Sequence, residues 1–427
     1  MIIPSIDLQN GNAVQLRGGK ELVIDAGDPF AIAERFRLAG EIAVVDLDAA
    51  IGTGSNAEIM ERLCSVADCR VGGGIRDVDS AIRWLDAGAA AVVLGTAAKP
   101  DVLRELPRTR VVAALDAVDG EVVIEGWKTK TGRTVEDEIA SLAEHCGGFL
   151  LTFVEREGRK VGIDAERVAK LVEAAGPDVR ITIAGGVTTP DDIAVLDRLG
   201  CEAQVGMALY DGTLPLADAV VAPITSDRRD GLWPTVVTDE RGVALGLAYS
   251  NLESVRAAVE SKAGVYHSRS RGGLWRKGET SGATQELLRI DADCDRDALR
   301  FTVRQAGAGF CHLATDTCWG DERGLGKLAR TIRTRVSEAP AGSYTKRLLA
   351  DPALLRAKLT EEAGELADAV ARDDIAWEAA DVLYFTLVAM ARGEVDLSEV
   401  ETQLRRRAMK VTRRKGDAKP GAIGGGA

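Results

Sequence analysis

From Met1 to about Thr225 the chain alternates short runs rich in β-branched residues with longer segments whose apolar positions recur at helical spacing. That alternation is the pattern of repeated strand-helix units on a parallel sheet. The strand candidates are IIPSID, AVVDLD, CRVGGG, AAVVLG, VVAALD, GFLLTF, ITIAGG and AQVG, and eight such units predict a closed (β/α)8 barrel of TIM type over residues 1–225. After the turn-rich stretch APITSDRRDGLWP the pattern changes to short strands broken by turns, which predicts a small, mainly β domain over 226–322. Beyond Gly324 the segments LLRAKLTEEAGELADAVA and IAWEAADVLYFTLVAMA carry helical periodicity, so 323–416 is predicted to be an all-α domain. The glycine-rich end, 417–427, is predicted to be a disordered tail.

Composition narrows the picture. A length of 427 residues is too long for one core and fits three. No apolar run is long enough to cross a bilayer, and MIIPSIDLQNG lacks the basic start of a secretory signal, so no membrane association is expected. The net charge of −12 disfavours nucleic acid as a partner, because such binding rests on a basic surface. Seven scattered cysteines fit reduced thiols in the cytoplasm better than a disulfide framework.

An internal repeat carries the first chemistry. VGGGIRDVDSAIRWLDAG resembles AGGVTTPDDIAVLDRLG, and Gly74 and Gly88, like Gly186 and Gly200, are fourteen positions apart. Glycines also follow the next strands. Each half thus offers two strand ends whose backbone amides can grip a phosphate, Gly73, Gly74, Gly95 and Thr96 in one and Gly185, Gly186, Gly206 and Met207 in the other. Any one of these glycines alone would be read as a tight turn; their paired recurrence favours two phosphate sites on one face. Asp7 in SID and Asp116 in ALD hold matching places at apolar strand ends, where barrel enzymes carry their chemistry. One ionised and one protonated carboxyl there would supply a base and an acid, whereas the plain alternative is that each caps a helix.

In the middle region HSRSRGGLWRKGETSG gathers Arg269, Arg271, Arg276 and Lys277 around Trp275, suited to phosphate pairing and base stacking. In LLRIDADCDRDALRF, read as a strand, alternation puts Asp293, Asp295 and Asp297 on one face and Cys294 on the other. Carboxylates suit magnesium and thiolates suit zinc. Cys311 and Cys318 follow in GFCHLATDTCWG beside His312, and three cysteines leave open the fourth position that a catalytic zinc needs. In the helical region Glu361, Glu362 and Glu365 lie near Lys358 on one stretch, with Glu378 and Asp381 on the next. Facing helices with such acids can form a magnesium site that bridges a polyphosphate; solvent-facing acids are the plain alternative.

These residues carry three family resemblances. IPSIDLQNGNAVQL, VDLDAAIGTGSN, VGGGIR, ALD, EGW and IAGGV resemble the ProFAR isomerase of histidine biosynthesis, which performs an Amadori rearrangement on a substrate with a phosphate at each end. The resemblance implies Asp7 as base, Asp116 as acid, Thr152 as a positioning hydroxyl, and Gly126 and Trp127 on a mobile loop. Gln15, Glu157 and Met207 depart from that pattern. YSNLES, SRSRGGLWRKGETSG, DADCDRD and FCHLATDTC resemble phosphoribosyl-AMP cyclohydrolase. This implies zinc on Cys294, Cys311 and Cys318, magnesium on Asp293, Asp295 and Asp297, and His312 as a proton shuttle. Because the family's zinc sites draw cysteines from two subunits, a homodimer through the middle and helical domains is expected. Val265 stands where relatives carry histidine, and His267 lies two residues on. SYTKRLL with the EExxE and ExxD patterns resembles phosphoribosyl-ATP pyrophosphohydrolase, implying magnesium on Glu361, Glu362, Glu365, Glu378 and Asp381. The last two regions are similar to fungal multifunctional histidine enzymes, down to VTRRKGDAKP. The implied substrates are small phosphoribosyl nucleotides, and the three implied reactions follow one another. An alternative keeps the last two activities and makes the barrel a scaffold; Gln15, Glu157 and Met207 favour it, while Asp7, Asp116 and Thr152 oppose it.

Overall fold

The computed structural model describes the chain apart from residues 125, 128, 157–161, 339, 341 and 414–427, so Glu157 and the expected tail at 417–427 lie outside the described residues. The chain divides into two compact units, one made of Met1–Val237, Leu247–Arg304 and the segment from Met409, the other of Thr238–Gly246 and Gln305–Ala408.

In the first unit the strands are β1 (Ile2–Gln9), β2 (Asn12–Arg17), β3 (Glu21–Gly27), β4 (Ile42–Asp46), β5 (Cys69–Gly72), β6 (Ala91–Leu94), β7 (Val111–Val118), β8 (Glu121–Ile124), β9 (Thr129–Thr134), β10 (Gly148–Phe153), β11 (Arg180–Ala184) and β12 (Cys201–Val205). Eight of them run around a ring in the order β1-β4-β5-β6-β7-β10-β11-β12 and return to β1, with every neighbouring pair parallel. This is the expected TIM-type barrel, and each barrel strand is one of the eight apolar runs. Ala91, Val112, Leu150 and Ala184 pack inside it. The repeat extends further than its glycines show. Antiparallel hairpins follow both β1 (β2 and β3) and β7 (β8 and β9), and Asp77 and Thr189 each close a capping box on the helix after their glycine turn. The alternating pattern of the main strands does not distinguish these short polar hairpins from loops.

The same unit holds most of a four-stranded sheet, ordered β14-β13-β18-β17 from β13 (Trp233–Thr238), β14 (Ala244–Ser250), β17 (Gln285–Ala292) and β18 (Leu299–Gln305), and an antiparallel hairpin of β15 (Val265–Ser268) with β16 (Gly273–Arg276). Tyr266 is fully buried between Trp275 and Phe301 and donates its hydroxyl to Gln285 Oε1 at 2.7 Å. One local expectation is corrected here: β17 stops at Ala292, so Asp293–Asp297 form a loop rather than a strand. Asp293 itself ends the strand, because its carboxylate accepts the amides of Asp297 and Ala298 at 3.0 and 3.1 Å and winds the chain into a turn.

The second unit is mainly helical, with helices Leu325–Glu338, Tyr344–Ala350, Pro352–Asp368, Arg372–Arg392 and Leu397–Met409. Ile332, Leu348, Leu355, Phe385, Leu387 and Val388 form its core. Asp351 caps the helix that Pro352 begins, accepting the amides of Ala353 and Leu354.

Candidate active sites

In a ring of eight, β1 and β7 are four strands apart in either direction, so Asp7 and Asp116 face each other across the barrel mouth. By the same count the loops after β5 and β6 oppose those after β11 and β12, which places Gly73, Gly74, Gly95 and Thr96 opposite Gly185, Gly186, Gly206 and Met207. Gly73 and Gly74 both have left-handed backbones. A side chain at Gly73 would run into the Asp46 carbonyl, and one at Gly74 would come within 2.7 Å of Ala49 Cβ. Only glycine lets this loop pass so close to its neighbour.

The two carboxyls have different surroundings. Burial pushes Asp7 from its ordinary value of 3.8 up to about 6, partly offset by the Ser5 hydroxyl, which donates to Asp7 Oδ1 at 3.0 Å. Asp116 is also raised by burial, while hydrogen bonds from Trp127 and Thr152 pull the other way. Thr152 stands directly opposite Asp116 in the β7–β10 register. Asp116, Trp127 and Thr152 therefore form one cluster. Trp127 has a left-handed backbone, and its ring lies over Gly19, where a side chain would come within 2.7 Å. Gln15 is buried against Gly206 and donates to the Val14 carbonyl at 2.9 Å.

Sequence reasoning missed Ser5 and Tyr210. Ser5 precedes Asp7 by two positions on the same strand and so shares its face, a signal that strand alternation offers. Tyr210 donates to the Ser5 carbonyl at 3.3 Å, and burial followed by the Asp7 charge keeps its phenol protonated. Nothing in the local pattern points to it.

In the middle region Asp293, Asp295 and Asp297 can each turn a carboxylate oxygen to within 4.8 Å of the others. Asp297 is held above the usual carboxylate range by sharing a hydrogen bond with Asp293 and by the charge of Asp295. Arg269 and Arg271 are exposed, and Arg269 lies 4.0 Å over the Tyr249 ring. Trp275 is half-buried against Tyr266, and Lys277 is buried with its ammonium donating to the Ala283 carbonyl at 3.5 Å. His267 contacts Asn251 at 3.3 Å, while Val265 is buried. In the second unit, hydrogen bonds to the Cys311 thiol from the Leu313 amide, the Thr315 hydroxyl and Cys318 hold it below its usual range, which favours the thiolate. His312 Nδ1 lies 3.8 Å from that sulfur. Cys294 belongs to the other unit and is exposed.

Glu362, Glu378 and Asp381 form the second cluster of acids within 4.8 Å. Glu361 instead turns to Lys358 at 2.9 Å, and the same ammonium reaches Glu362 at 2.6 Å. Glu378 Oε2 is buried without a hydrogen-bond partner. Burial, then Glu365, Glu362 and Asp381, raise its carboxyl. Several acids converging on a buried oxygen without a donor is an arrangement that a divalent cation would relieve.

A family model described as "Histidine biosynthesis protein" matches residues 1–215, half of the chain. The chain belongs to that family. Models for phosphoribosyl-AMP cyclohydrolase and phosphoribosyl-ATP pyrophosphohydrolase match residues 246–320 and 325–408. Among curated relatives, the histidine biosynthesis trifunctional protein of Komagataella pastoris is 40% identical over 353 residues, covering 81% of this chain and 38% of the relative. The histidine biosynthesis bifunctional protein of Schizosaccharomyces pombe is 50% identical over 206 residues, 48% of this chain and 49% of the relative. The chain therefore spans less than half the length of either fungal relative. It covers 96% of a third, the 1-(5-phosphoribosyl)-5-((5-phosphoribosylamino)methylideneamino) imidazole-4-carboxamide isomerase of Natronomonas pharaonis, at 41% identity over 231 residues. No helix among the described residues is long and apolar enough to cross a membrane.

Proposed function

We propose that this chain performs three consecutive steps of histidine biosynthesis. It releases diphosphate from phosphoribosyl-ATP, opens the adenine ring of phosphoribosyl-AMP to give ProFAR, and isomerises ProFAR by an Amadori rearrangement. One observation carries the reading: the cyclohydrolase and pyrophosphohydrolase families stand in one chain beside a region similar to a relative named as an isomerase, and in these three named reactions each product is the next substrate.

In the barrel, Asp116 delivers a proton to the ribose ring oxygen as the ring opens to an iminium at the anomeric carbon, and Asp7 removes the proton from the adjacent carbon 2; the resulting enolamine tautomerises to the ketose. The raised Asp116 suits a donor, and Trp127 and Thr152 stand ready to stabilise the carboxylate left behind. Asp7, at about 6, is ionised at neutral pH yet basic enough to accept. The opposed glycine loops bind a phosphate at each end of the substrate and centre it between the acids.

For ring opening we assign magnesium to Asp293, Asp295 and Asp297, and zinc to Cys294, Cys311 and Cys318, with Cys294 contributed across a homodimer. Bound metal would acidify water and stabilise the charge that develops on the purine. Arg269 and Arg271, exposed beside the β15–β16 hairpin, pair with substrate phosphate, and His312 moves a proton beside Cys311. For diphosphate release, Glu362, Glu365, Glu378 and Asp381 hold magnesium, with Lys358 fixing the orientation of Glu361 and Glu362. Exposed Trp377 (71%) and Val370 (90%) support a dimer contact in the helical region. All seven cysteines are free, which suits a reducing cytoplasm.

The test is a coupled assay on purified chain with phosphoribosyl-ATP, Zn2+ and Mg2+, resolving intermediates by chromatography beside the Asp7→Asn variant. The ketose product should form with the parent chain alone, and ProFAR should accumulate with the variant. ProFAR accumulation with both would remove the barrel from the reading.

A further inference from the structure

Arg296 stands between two of the three aspartates of the 293–297 loop and has a left-handed backbone, φ 65°. Arginine gains nothing intrinsically from that conformation, which glycine adopts freely and other residues adopt at a cost. Its side chain accounts for the choice. The guanidinium makes a two-pronged pair with Asp197, Nε to Oδ2 at 2.9 Å and Nη2 to Oδ1 at 3.0 Å, while Nη1 donates to the carbonyl of Asp293. Its own carbonyl accepts the Thr225 amide at 2.7 Å. Asp197 belongs to the barrel helix Pro190–Arg198, which leads into the start of β12 and therefore ends at the face away from the catalytic mouth. The loop is thus tied on both sides of one residue to the barrel, within a single compact unit.

The tie is part of a wider pattern. Arg256 pairs with Asp218 through both oxygens, at 2.7 and 2.6 Å, and Arg289 reaches Asp68 at 3.3 Å. Those two contacts join surfaces of the same unit. Of these three pairs, the Arg296 contact is the one that acts on the backbone of the aspartate loop, between the strand-ending carbonyl of Asp293 and the amides that cap the Asp293 carboxylate.

We propose that Arg296, pinned to Asp197, is a positioning residue that holds the aspartate loop in its cation-binding shape, so that the barrel serves as a brace for the ring-opening site. The inference rests on the assignment of Asp293, Asp295 and Asp297 as ligands. A planar, two-pronged guanidinium pair fixes direction as well as distance, which a single ammonium contact would not. Disturbing a partner just outside a metal's ligands typically weakens its binding about 10–100-fold.

The experiment is hydrogen exchange on the full-length chain, freed of metal and titrated with Mn2+, reading peptides that span 285–305. That window reports this loop separately from the helical glutamates. Parent protein is compared with Asp197→Asn, Arg296→Gln, the double variant, Arg296→Gly and the ligand variant Asp295→Asn. Asp197→Asn and Arg296→Gln should each speed exchange of the Asp297 and Ala298 amides and raise the Mn2+ midpoint about tenfold. The double variant should cost no more than Arg296→Gln alone at this loop, because the Arg296–Asp197 pair is common to both changes; Asp197 also holds the Met1 ammonium at 2.9 Å, a contact that does not touch the loop. Arg296→Gly should recover part of the loss relative to Arg296→Gln, since glycine removes the backbone strain while leaving the brace broken. Ring opening should follow as a higher Mn2+ requirement with near-parental kcat at saturation. Parental midpoints in the Asp197 and Arg296 variants, with the response abolished in Asp295→Asn, would overturn the brace and leave the ligand assignment standing. A parental response in Asp295→Asn would overturn the ligand assignment, and the brace with it.

Discussion

Replacing Asp7 by asparagine should damage catalysis and strengthen the fold in the same molecule. Burial raises the Asp7 carboxyl from 3.8 to about 6, so the folded state holds its proton over a range in which the unfolded chain has released it. Because the folded state binds more protons there, the parent loses stability as pH rises from about 4 to about 6, and the loss is complete above that. A shift of about two units corresponds to at most ~3 kcal/mol, reduced in practice by whatever the new amide fails to bond. Asparagine carries no charge to bury. Scanning calorimetry should therefore find the variant's transition for the barrel-containing unit several degrees above the parent's at pH 7.5, with the two converging near pH 4. Isomerisation should meanwhile fall about 10²–10⁴-fold, the usual contribution of a positioned base. In the parent, kcat/KM should show an acid limb near pH 6 and roughly a tenfold loss at pH 5. Ser5→Ala removes the donor that stabilises the charged form and should move that limb upward. A stability difference that does not change with pH, or an acid limb near 4, would refute the reasoning.

Glu378→Gln relieves the crowding of acids around a buried, unpartnered oxygen. The metal-free second unit should melt higher, Mg2+ should stabilise it less, and diphosphate release should drop by at least about 10–100-fold. Arg70 is buried in the barrel and bonds Glu41 at 2.7 Å, Glu202 at 3.0 Å and Thr182 at 2.9 Å. Arg70→Met should cost roughly 3–5 kcal/mol in urea unfolding, because Glu41 loses the counter-charge it shares with Glu202 and Glu202 is left with Arg180 at 3.5 Å, while isomerase kcat in folded protein stays near parental. Gly73→Ala forces a side chain onto the Asp46 carbonyl from a left-handed backbone and should cost more than ~2 kcal/mol by the same measurement.

How far the fold could be read from the sequence depended on whether periodicity or local hydrogen bonding decided each segment. The eight barrel strands are buried apolar runs, so their alternation with helices was enough to predict closure. The hairpin β8–β9 is half polar and exposed, with TKTGRT as its outer strand, and no apolar period marks it. DADCDRD misled for a different reason: its alternation is that of a strand, but the Asp293 carboxylate captures two amides of its own chain and makes a loop. The acids still converge, by turn geometry rather than by sharing a strand face. Among the helical acids, spacing alone made Glu361 and Glu362 equivalent. Burial separates them: Lys358 pairs with both, but Glu361 stays exposed and Glu362 is buried beside Glu378.

The barrel's internal symmetry bears on how one scaffold could supply both the acid and the base proposed for it. Matching strands place Asp7 and Asp116 opposite each other, and matching glycine loops lie between them on either side. A twofold frame alone would give both carboxyls the same proton affinity and leave no direction for transfer. The partners break the symmetry. Among the described residues Asp7 has one side-chain donor, Ser5, two positions back on its own strand, and Tyr210 packs nearby with its phenol kept neutral. Asp116 has two donors, Thr152 from the adjoining strand and Trp127 from the loop after β8. Those donors stabilise the charge that an acid acquires when it gives up its proton, and one of them arrives on a loop. On the proposed assignment, the acid Asp116 is thus the half of the pair whose strength depends on loop position, whereas the base Asp7 is set by the strands. Moving Trp127 away should therefore change the alkaline limb of isomerisation and leave the acid limb near pH 6 in place.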